Sequence, residues 1–271
     1  MTTELIRRAA ADLAHGGYAI ALTGAGISTE SGIPDFRGPS GLWTKNPEEE
    51  RKAYERYEKF LSDPGGYWED RLNAPTPLGD LGKMKPNPGH EALAELERMG
   101  IVKTVITQNI DNLHQRAGSR QVLDFHGNAF RLRCASCGRR YESPEFDLEG
   151  LRRDRRLPPL CGACGGIVKL DVVHFREPIP ADVIEQSLTE TEKCDVMLVC
   201  GTSAVVYPFA SLPETVREQA ANSRGKVIIE INAEPTPLTQ RRISDYLIQG
   251  KTGQILPAIV AEIRRMESPA L

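Results

Sequence analysis

Residues 18–43 read YAIALTGAGISTESGIPDFRGPSGLW, and the stretch changes character halfway along. The apolar run Tyr18 to Leu22 has the length and composition of a buried strand. Gly24-Ala25-Gly26 follows at once, so backbone N–H groups can approach a ligand with no large side chain in the way, as a phosphate requires. On its own this pattern is weak evidence, because many strand-to-helix turns are glycine-rich for steric reasons. It also departs from the dinucleotide fingerprint Gly-x-Gly-x-x-Gly, since Gly32 comes six residues after Gly26 rather than three. Pro34-Asp35-Phe36-Arg37-Gly38-Pro39 resists regular helix, so the segment is expected to be largely loop. An acid, an aromatic and an arginine on a long loop suit a lid over a site.

Outward from this stretch, helical and extended patterns alternate. Leu5, Ile6, Ala9, Ala10 and Leu13 recur at helical spacing before the first strand, and Leu93, Leu96 and Met99 do so before Gly100. Strands are expected at 101–107, 122–125, 196–200, 227–231 and 246–249, with helices at about 181–192, 210–221 and 253–266. Residues 46–61 are charged and 63–88 are rich in proline and glycine, which predicts an irregular helical insertion. The alternation predicts an α/β fold, a Rossmann-like parallel sheet covered by helices on both faces. Gly24 to Ser28, Gln108 to Asp111, Gly201 to Ser203 and Asn232 to Glu234 each begin at or just past the end of an apolar strand. In open α/β sheets ligands lie beyond the carboxyl ends of the strands, so these four tips are expected to line one crevice.

The chain has 271 residues, 40% of them hydrophobic, enough for one large domain or for a large domain with a small one. Its net charge of -3 gives no reason to expect direct nucleic-acid binding, and the run Arg152-Arg153-Asp154-Arg155-Arg156 reads as a solvated face. No apolar run reaches the roughly eighteen residues of a membrane span, and MTTELIRRAA lacks a signal-peptide core. A cytoplasmic protein with no membrane partner is the expectation.

Four of the six cysteines form two pairs, Cys134-x-x-Cys137 and Cys161-x-x-Cys164, with turn glycines at Gly138, Gly162 and Gly165. Two such knuckles supply four thiolates for tetrahedral Zn²⁺, and a site closed by four protein ligands is structural rather than catalytic. A redox pair or an iron–sulfur cluster are the competing readings. Cys200, inside VMLVCG, reads as a small buried apolar residue.

His126 follows the strand Val122 to Phe125 and so belongs at the same crevice. A lone histidine there is often a hydrogen-bonded structural residue, but its near-neutral pKa also suits a general base. With His126 the set becomes recognisable: GAGISTESGIPDFRGPSGLW, TQNIDNLH, FHG, the paired Cys-x-x-Cys, GTS followed by VVYP, and INAEP occur in this order, and over nearly the whole chain the sequence resembles the sirtuins, the NAD-dependent protein lysine deacylases.

The resemblance implies a Rossmann-like NAD domain (residues 1–45, 89–128 and 171–271) and a small domain made of the helical insertion (46–88) and the zinc module (129–170). It implies that Gly24, Ala25, Gly26 and Ser28 cradle the pyrophosphate region, while Asp35, Phe36 and Arg37, with Trp43, form the loop closing over the nicotinamide side. Gln108, Asn109, Ile110 and Asp111 would shape the nicotinamide pocket, with Asn109 and Asp111 counted beside His126 as catalytic. Gly201, Thr202, Ser203, Asn232, Ala233, Glu234 and Thr252 would hold the phosphate, ribose and adenine end. NAD would be consumed, not reduced: His126 would deprotonate a ribose hydroxyl, and the acetyl group would leave lysine as 2'-O-acetyl-ADP-ribose. An acetyl-lysine protein or peptide would add as a strand between residues 172–177 and 204–208, touching Val173, Phe175, Glu177 and Val206.

Two features qualify that reading. Where many relatives carry Phe-Phe-Gly-Glu or a close variant, this chain has His174-Phe175-Arg176-Glu177, which puts a charge beside the peptide. Sirtuins that prefer succinyl- or malonyl-lysine carry Tyr and Arg three residues apart in the helical insertion, whereas Tyr67 and Arg71 are four apart, so acetyl-lysine is the expected substrate. The competing functions are a protein mono-ADP-ribosyltransferase using the same pocket, a zinc-ribbon module that only holds a nucleotide, and an NAD oxidoreductase. The last is disfavoured by the glycine spacing.

Overall fold

The computed structural model describes residues 2–39, 41–73, 77–222 and 225–267, with only the backbone at 221–222. Residues 74–76 of the proline-rich insertion, and residues 1, 40, 223–224 and 268–271 of the expected NAD domain, therefore lie outside the described residues. Among the described residues nine strands form in chain order: β1 (Ala19–Thr23), β2 (Val102–Thr107), β3 (Val122–Asp124), β4 (Gly127–Cys134), β5 (Arg140–Glu142), β6 (Val168–Val172), β7 (Val196–Cys200), β8 (Val227–Asn232) and β9 (Tyr246–Gln249).

Six of them make one sheet in the order β3-β2-β1-β7-β8-β9, and every adjacent pair runs parallel. β1 and β7 are buried along their whole length, as expected of central strands covered on both faces. Their alternate side chains feed two cores. Ala19, Ala21 and Leu198 meet Leu13 of helix Thr2–His15, Leu93 of helix Pro88–Arg98, and Leu256 and Ile259 of helix Thr252–Glu267. Ile20, Leu22, Met197 and Val199 meet Val183 of helix Ala181–Lys193 and Val216 of helix Ser211–Asn222. The strand order reverses direction at β1, with β2 on one side and β7 on the other, so the crevice of the sheet opens at the carboxyl ends of β1 and β7.

β4, β5 and β6 make a separate antiparallel sheet in the order β5-β4-β6. Helices Pro47–Ser62 and Pro64–Asn73 pack on it through Phe60, Tyr67 and Trp68 against Leu132 and Val168, and the Trp68 indole N–H donates to the Val168 carbonyl at 2.9 Å. The inserted helices and the cysteine module thus share one core.

Two expectations are corrected here. The segment after Gly24 is less of a loop than its prolines suggest: Ala25–Ser28 forms a helical turn, Thr29–Ser31 a 3₁₀ turn, and Leu42–Lys45 another helical turn. The prolines begin only at Pro34, so nothing blocks helical hydrogen bonds before Gly32, whose φ of 90° ends the run. The insertion contains two regular helices, because Pro47 and Pro64 each stand in the first turn, where a missing N–H costs no helical bond. Arg153 to Arg156 are exposed, and among the described residues no helix is long and apolar enough to cross a membrane.

Candidate functional site

A cleft of about 1400 Å³ opens beyond the carboxyl ends of the parallel strands and extends to the smaller lobe. The glycine turn fits because two loops nearly touch there. Gly24 N–H donates to the Cys200 carbonyl at 3.3 Å and Gly26 N–H to the Gly201 carbonyl at 2.8 Å. A Cβ on Gly26 would lie 2.7 Å from that carbonyl oxygen, and one on Gly24 would lie 2.6 Å from Thr202 Cβ. The other strand tips join by side chains: Gln108 Nε2 donates to Thr202 Oγ1 at 2.7 Å, and Asn232 Nδ2 to the Thr202 carbonyl at 2.8 Å.

Ala25, Gly26, Ser28, Asp35, Phe36, Arg37, Trp43, residues 108–111, residues 201–203 and residues 232–234 all line this cleft, as do His126, Val173, Phe175, Glu177 and Val206. Gly24 is not among the residues that line it. Thr252 is not brought to it: it is buried at the start of the last helix with Oγ1 unpartnered, and its neighbour Gly253 donates from its N–H to Glu30 at 2.8 Å.

At the floor, Ser28 Oγ donates to an Asp111 carboxylate oxygen at 2.7 Å, and Asn109 Nδ2 donates to both Ser28 Oγ and the Gly24 carbonyl at 3.0 Å. Burial raises the Asp111 pKa, against the bonds from Ser28 and the Leu113 N–H. Behind these groups lie two histidines the sequence did not single out. Asn87 N–H donates to His90 Nδ1, so His90 Nε2 carries the proton and faces Ser28 Oγ at 3.4 Å. Thr23 Oγ1 donates to Thr107, so it accepts from His114 Nε2 at 2.9 Å. Burial holds both rings neutral, His90 with a pKa lowered to about 4. Each stands in the first turn of a helix, after Asn87 and after Asn112, and only the fold sets the two rings 4.9 Å apart.

His126 is half-buried against Phe125 and Phe209. Its Nδ1 faces the Gln108 carbonyl at 3.3 Å, the arrangement of an Nδ1–H donor, which leaves the lone pair on Nε2. Burial lowers its pKa to about 4, against the Gln108 bond, so the ring is a neutral proton acceptor at pH 7.

Rings connect the lid to the far wall. Phe36 packs on Trp43 at 4.7 Å, Trp43 on Phe175 at 5.5 Å, and Phe175 stacks on Tyr54 at 4.3 Å. Arg37 lies over Trp43 at 4.5 Å and pairs with Glu50 at 3.5 Å. Glu177 edges the cleft with its carboxylate turned inward, accepting from Arg133 at 2.8 Å and paired with the Lys169 ammonium at 3.1 Å. His174 Nε2 meets the Tyr67 hydroxyl at 3.0 Å, and burial, with Lys169 and Arg56 nearby, lowers its pKa to about 3. Arg71 also lines the cleft, half-buried and without an ion pair or hydrogen bond among the described residues.

The four knuckle sulfurs converge. Cys134 and Cys164 Sγ are 3.5 Å apart, Cys137 and Cys161 Sγ 3.7 Å, and all four lie within 4.8 Å of one another. A tetrahedral Zn²⁺ with bonds of about 2.3 Å needs sulfurs about 3.8 Å apart, so the donor set fits. The Tyr141 hydroxyl lies 2.9 Å from Cys161 Sγ, a second-layer contact that steadies a thiolate. Cys194 and Cys200 are buried apart from the cluster, Cys200 with its thiol pKa raised by burial.

A doubly wound parallel sheet with a glycine turn at its switch point, joined to a four-cysteine lobe across a cleft, defines a nucleotide-binding α/β protein with a structural metal module. The Sir2 family model matches residues 24–208, and the chain belongs to that family. It is 45% identical over 254 residues to an NAD-dependent protein deacylase of Pyrococcus furiosus, covering 94% of this chain and 96% of that one. It is 45% identical over 253 residues to an NAD-dependent protein deacetylase of Sulfurisphaera tokodaii, covering 91% of each. A solved Sir2 homologue in complex with ADP-ribose superposes with a TM-score of 0.77 at 39% identity, covering 99% of this chain and 98% of that one.

Proposed function

We propose that this protein is an NAD-dependent protein lysine deacetylase that cleaves NAD to nicotinamide and passes the acetyl group from lysine to ADP-ribose, giving 2'-O-acetyl-ADP-ribose. The observation that carries this is the neutral His126 ring, its Nδ1 bonded to the carbonyl of Gln108 in the same cleft as the glycine turn. We assign residues 1–45, 89–128 and 171–271 to the NAD-binding domain, and 46–88 with 129–170 to the small domain. Reduced cysteines suit a cytoplasmic setting.

In this reading Gly24, Ala25 and Gly26 present backbone to the pyrophosphate, helped by Gly201, Thr202 and Ser203, and Asn232, Ala233 and Glu234 meet the adenosine side. Ser28, Asn109 and Asp111 form a closed hydrogen-bonded set that offers the nicotinamide carboxamide fixed partners. Departure of nicotinamide leaves C1′ cation-like, so water must be kept out while the acyl oxygen approaches. Phe36, packed at a tilt on Trp43, supplies an apolar cover with no nucleophile of its own. His126 Nε2 then takes the proton of a ribose hydroxyl. Thr252 supports the fold beside the site rather than lining it. Zinc, when bound by Cys134, Cys137, Cys161 and Cys164, fixes the small lobe.

Arg71 favours a second acyl class. A half-buried arginine with no ion pair in the cleft suits a carboxylate-tipped acyl chain. Incubation with NAD and acetyl-, succinyl- or malonyl-lysine peptides, followed by mass spectrometry, tests both readings. Free lysine, nicotinamide and O-acetyl-ADP-ribose in equal amounts support the deacetylase. ADP-ribose added to protein, with the peptide intact, would instead indicate a transferase, and intact NAD a binding module.

A further inference from the structure

Residues 173–178 form one wall of the cleft, and its polar side chains are fastened with one exception. Val173 N–H donates to the His126 carbonyl at 2.8 Å, the His174 ring meets Tyr67, and His174 N–H donates to Glu177 at 3.0 Å. Phe175 stacks on Tyr54, and the Glu177 carboxylate is held by Arg133 and Lys169. Arg176 is the exception. It is exposed, lines the cleft, and makes no side-chain hydrogen bond, ion pair or ring contact among the described residues. Its φ of 69° lies in the left-handed region, which opposes any residue with a Cβ and which glycine would occupy without strain. The chain therefore holds a guanidinium at this point against its own backbone preference, and nothing within the wall uses it. The facing segment offers Val205 and Tyr207, both exposed, and the Tyr207 hydroxyl is taken by Glu214.

We infer that Arg176 selects substrates with an aspartate or glutamate beside the acyl-lysine, on the part of the peptide lying along residues 173–178. This rests on the deacetylase reading above and adds the substrate class. A planar guanidinium on a fixed Cα can take a carboxylate through two parallel N–H bonds, and Glu177, the nearest acid in sequence, cannot compete because its carboxylate is committed behind the wall.

The test uses three acetyl-lysine peptides identical except for a flanking Glu, Gln or Lys, with kcat/KM measured for wild type, Arg176→Gly, Arg176→Gln and Arg176→Glu. Wild type is expected to favour the Glu peptide over the Lys peptide by about fivefold at low salt, the scale of one solvent-facing ion pair, and by less at high salt. The ratio should fall to near one in Arg176→Gly and Arg176→Gln and invert in Arg176→Glu. Arg176→Gly should melt no lower than wild type, since it removes the left-handed strain, and Arg176→Gln repeats the test without altering the backbone preference. Equal rates on the three peptides in wild type, or a Glu preference that survives both neutral variants, would overturn the inference while leaving the deacetylase reading standing. NAD-dependent turnover of none of the peptides would overturn both.

Discussion

Lys169 Nζ lies 3.1 Å from a Glu177 carboxylate oxygen, with the two side chains only 1% and 6% exposed. Arg133 reaches the other oxygen of Glu177 and also pairs with Asp171, which in turn holds Arg140, and Arg140 reaches Asp182 on the next helix. The cleft wall of residues 173–178 is thus tied to both lobes. Glu177→Ala would leave the buried Lys169 without its carboxylate and take from Arg133 one of its two, and should destabilise the protein by about 3–5 kcal/mol, the usual result of breaking one side of a buried pair. We expect the KM for peptide to rise more than the KM for NAD. Denaturant titration and the two KM values check this, and an unchanged peptide KM would mean that the wall keeps its shape without the anchor.

His126→Ala should lose deacetylation by at least about a hundredfold, the low end of general-base contributions. NAD affinity should change little, because the glycine turn and the Ser28–Asp111 set do not depend on this ring. Steady-state rates and calorimetric NAD binding give the two readouts, and full activity in the variant would remove His126 as the base.

Gly26→Ala should weaken NAD binding at least tenfold, roughly 1.4 kcal/mol. The added Cβ would sit 2.7 Å from the Gly201 carbonyl, so β1 and β7 would have to part where the pyrophosphate is proposed to lie. Titration with ADP-ribose measures the loss directly, and wild-type affinity would place the dinucleotide elsewhere.

Cys134→Ala or Cys161→Ala should release zinc and unfold the small lobe, because both sulfurs are buried in the core shared with Phe60 and Trp68. Metal analysis and limited proteolysis of the whole protein provide the check. A soluble, active, metal-free variant would show that the cysteines serve another purpose.

Four histidines give the protein a predictable acid response. Burial lowers His90 and His126 to about 4 and His174 to about 3, and takes His114 well below 6.5. Between pH 6.5 and about 4 the unfolded chain therefore binds protons that the folded chain refuses, so stability is full above pH 6.5 and falls as pH drops through that window. Urea unfolding at successive pH values should show this fall, with a shallower slope for His114→Asn. Equal slopes would mean that His114 is not held neutral by the fold.

The local sequence determined the elements of the parallel sheet and most of the site inventory, whereas the antiparallel sheet of β4, β5 and β6 was not legible in it. Apolar runs of four to seven residues ending in glycine or polar residues set the parallel strands and placed their tips. Cys-x-x-Cys spacing fixed a tetrahedral donor set, since that chemistry is nearly local. Tertiary structure decided which distant groups meet. Nothing in the spacing of Tyr67 and His174, or of Lys169, Arg133 and Glu177, shows that they touch. The same holds for His90 and His114, joined only because helix Pro88–Arg98 and the turn after β2 converge under Ser28. Periodicity and turn chemistry act over a few residues and are written in the chain, whereas burial, charge pairing and the pKa shifts they cause arise only once segments far apart in sequence exclude water from one another.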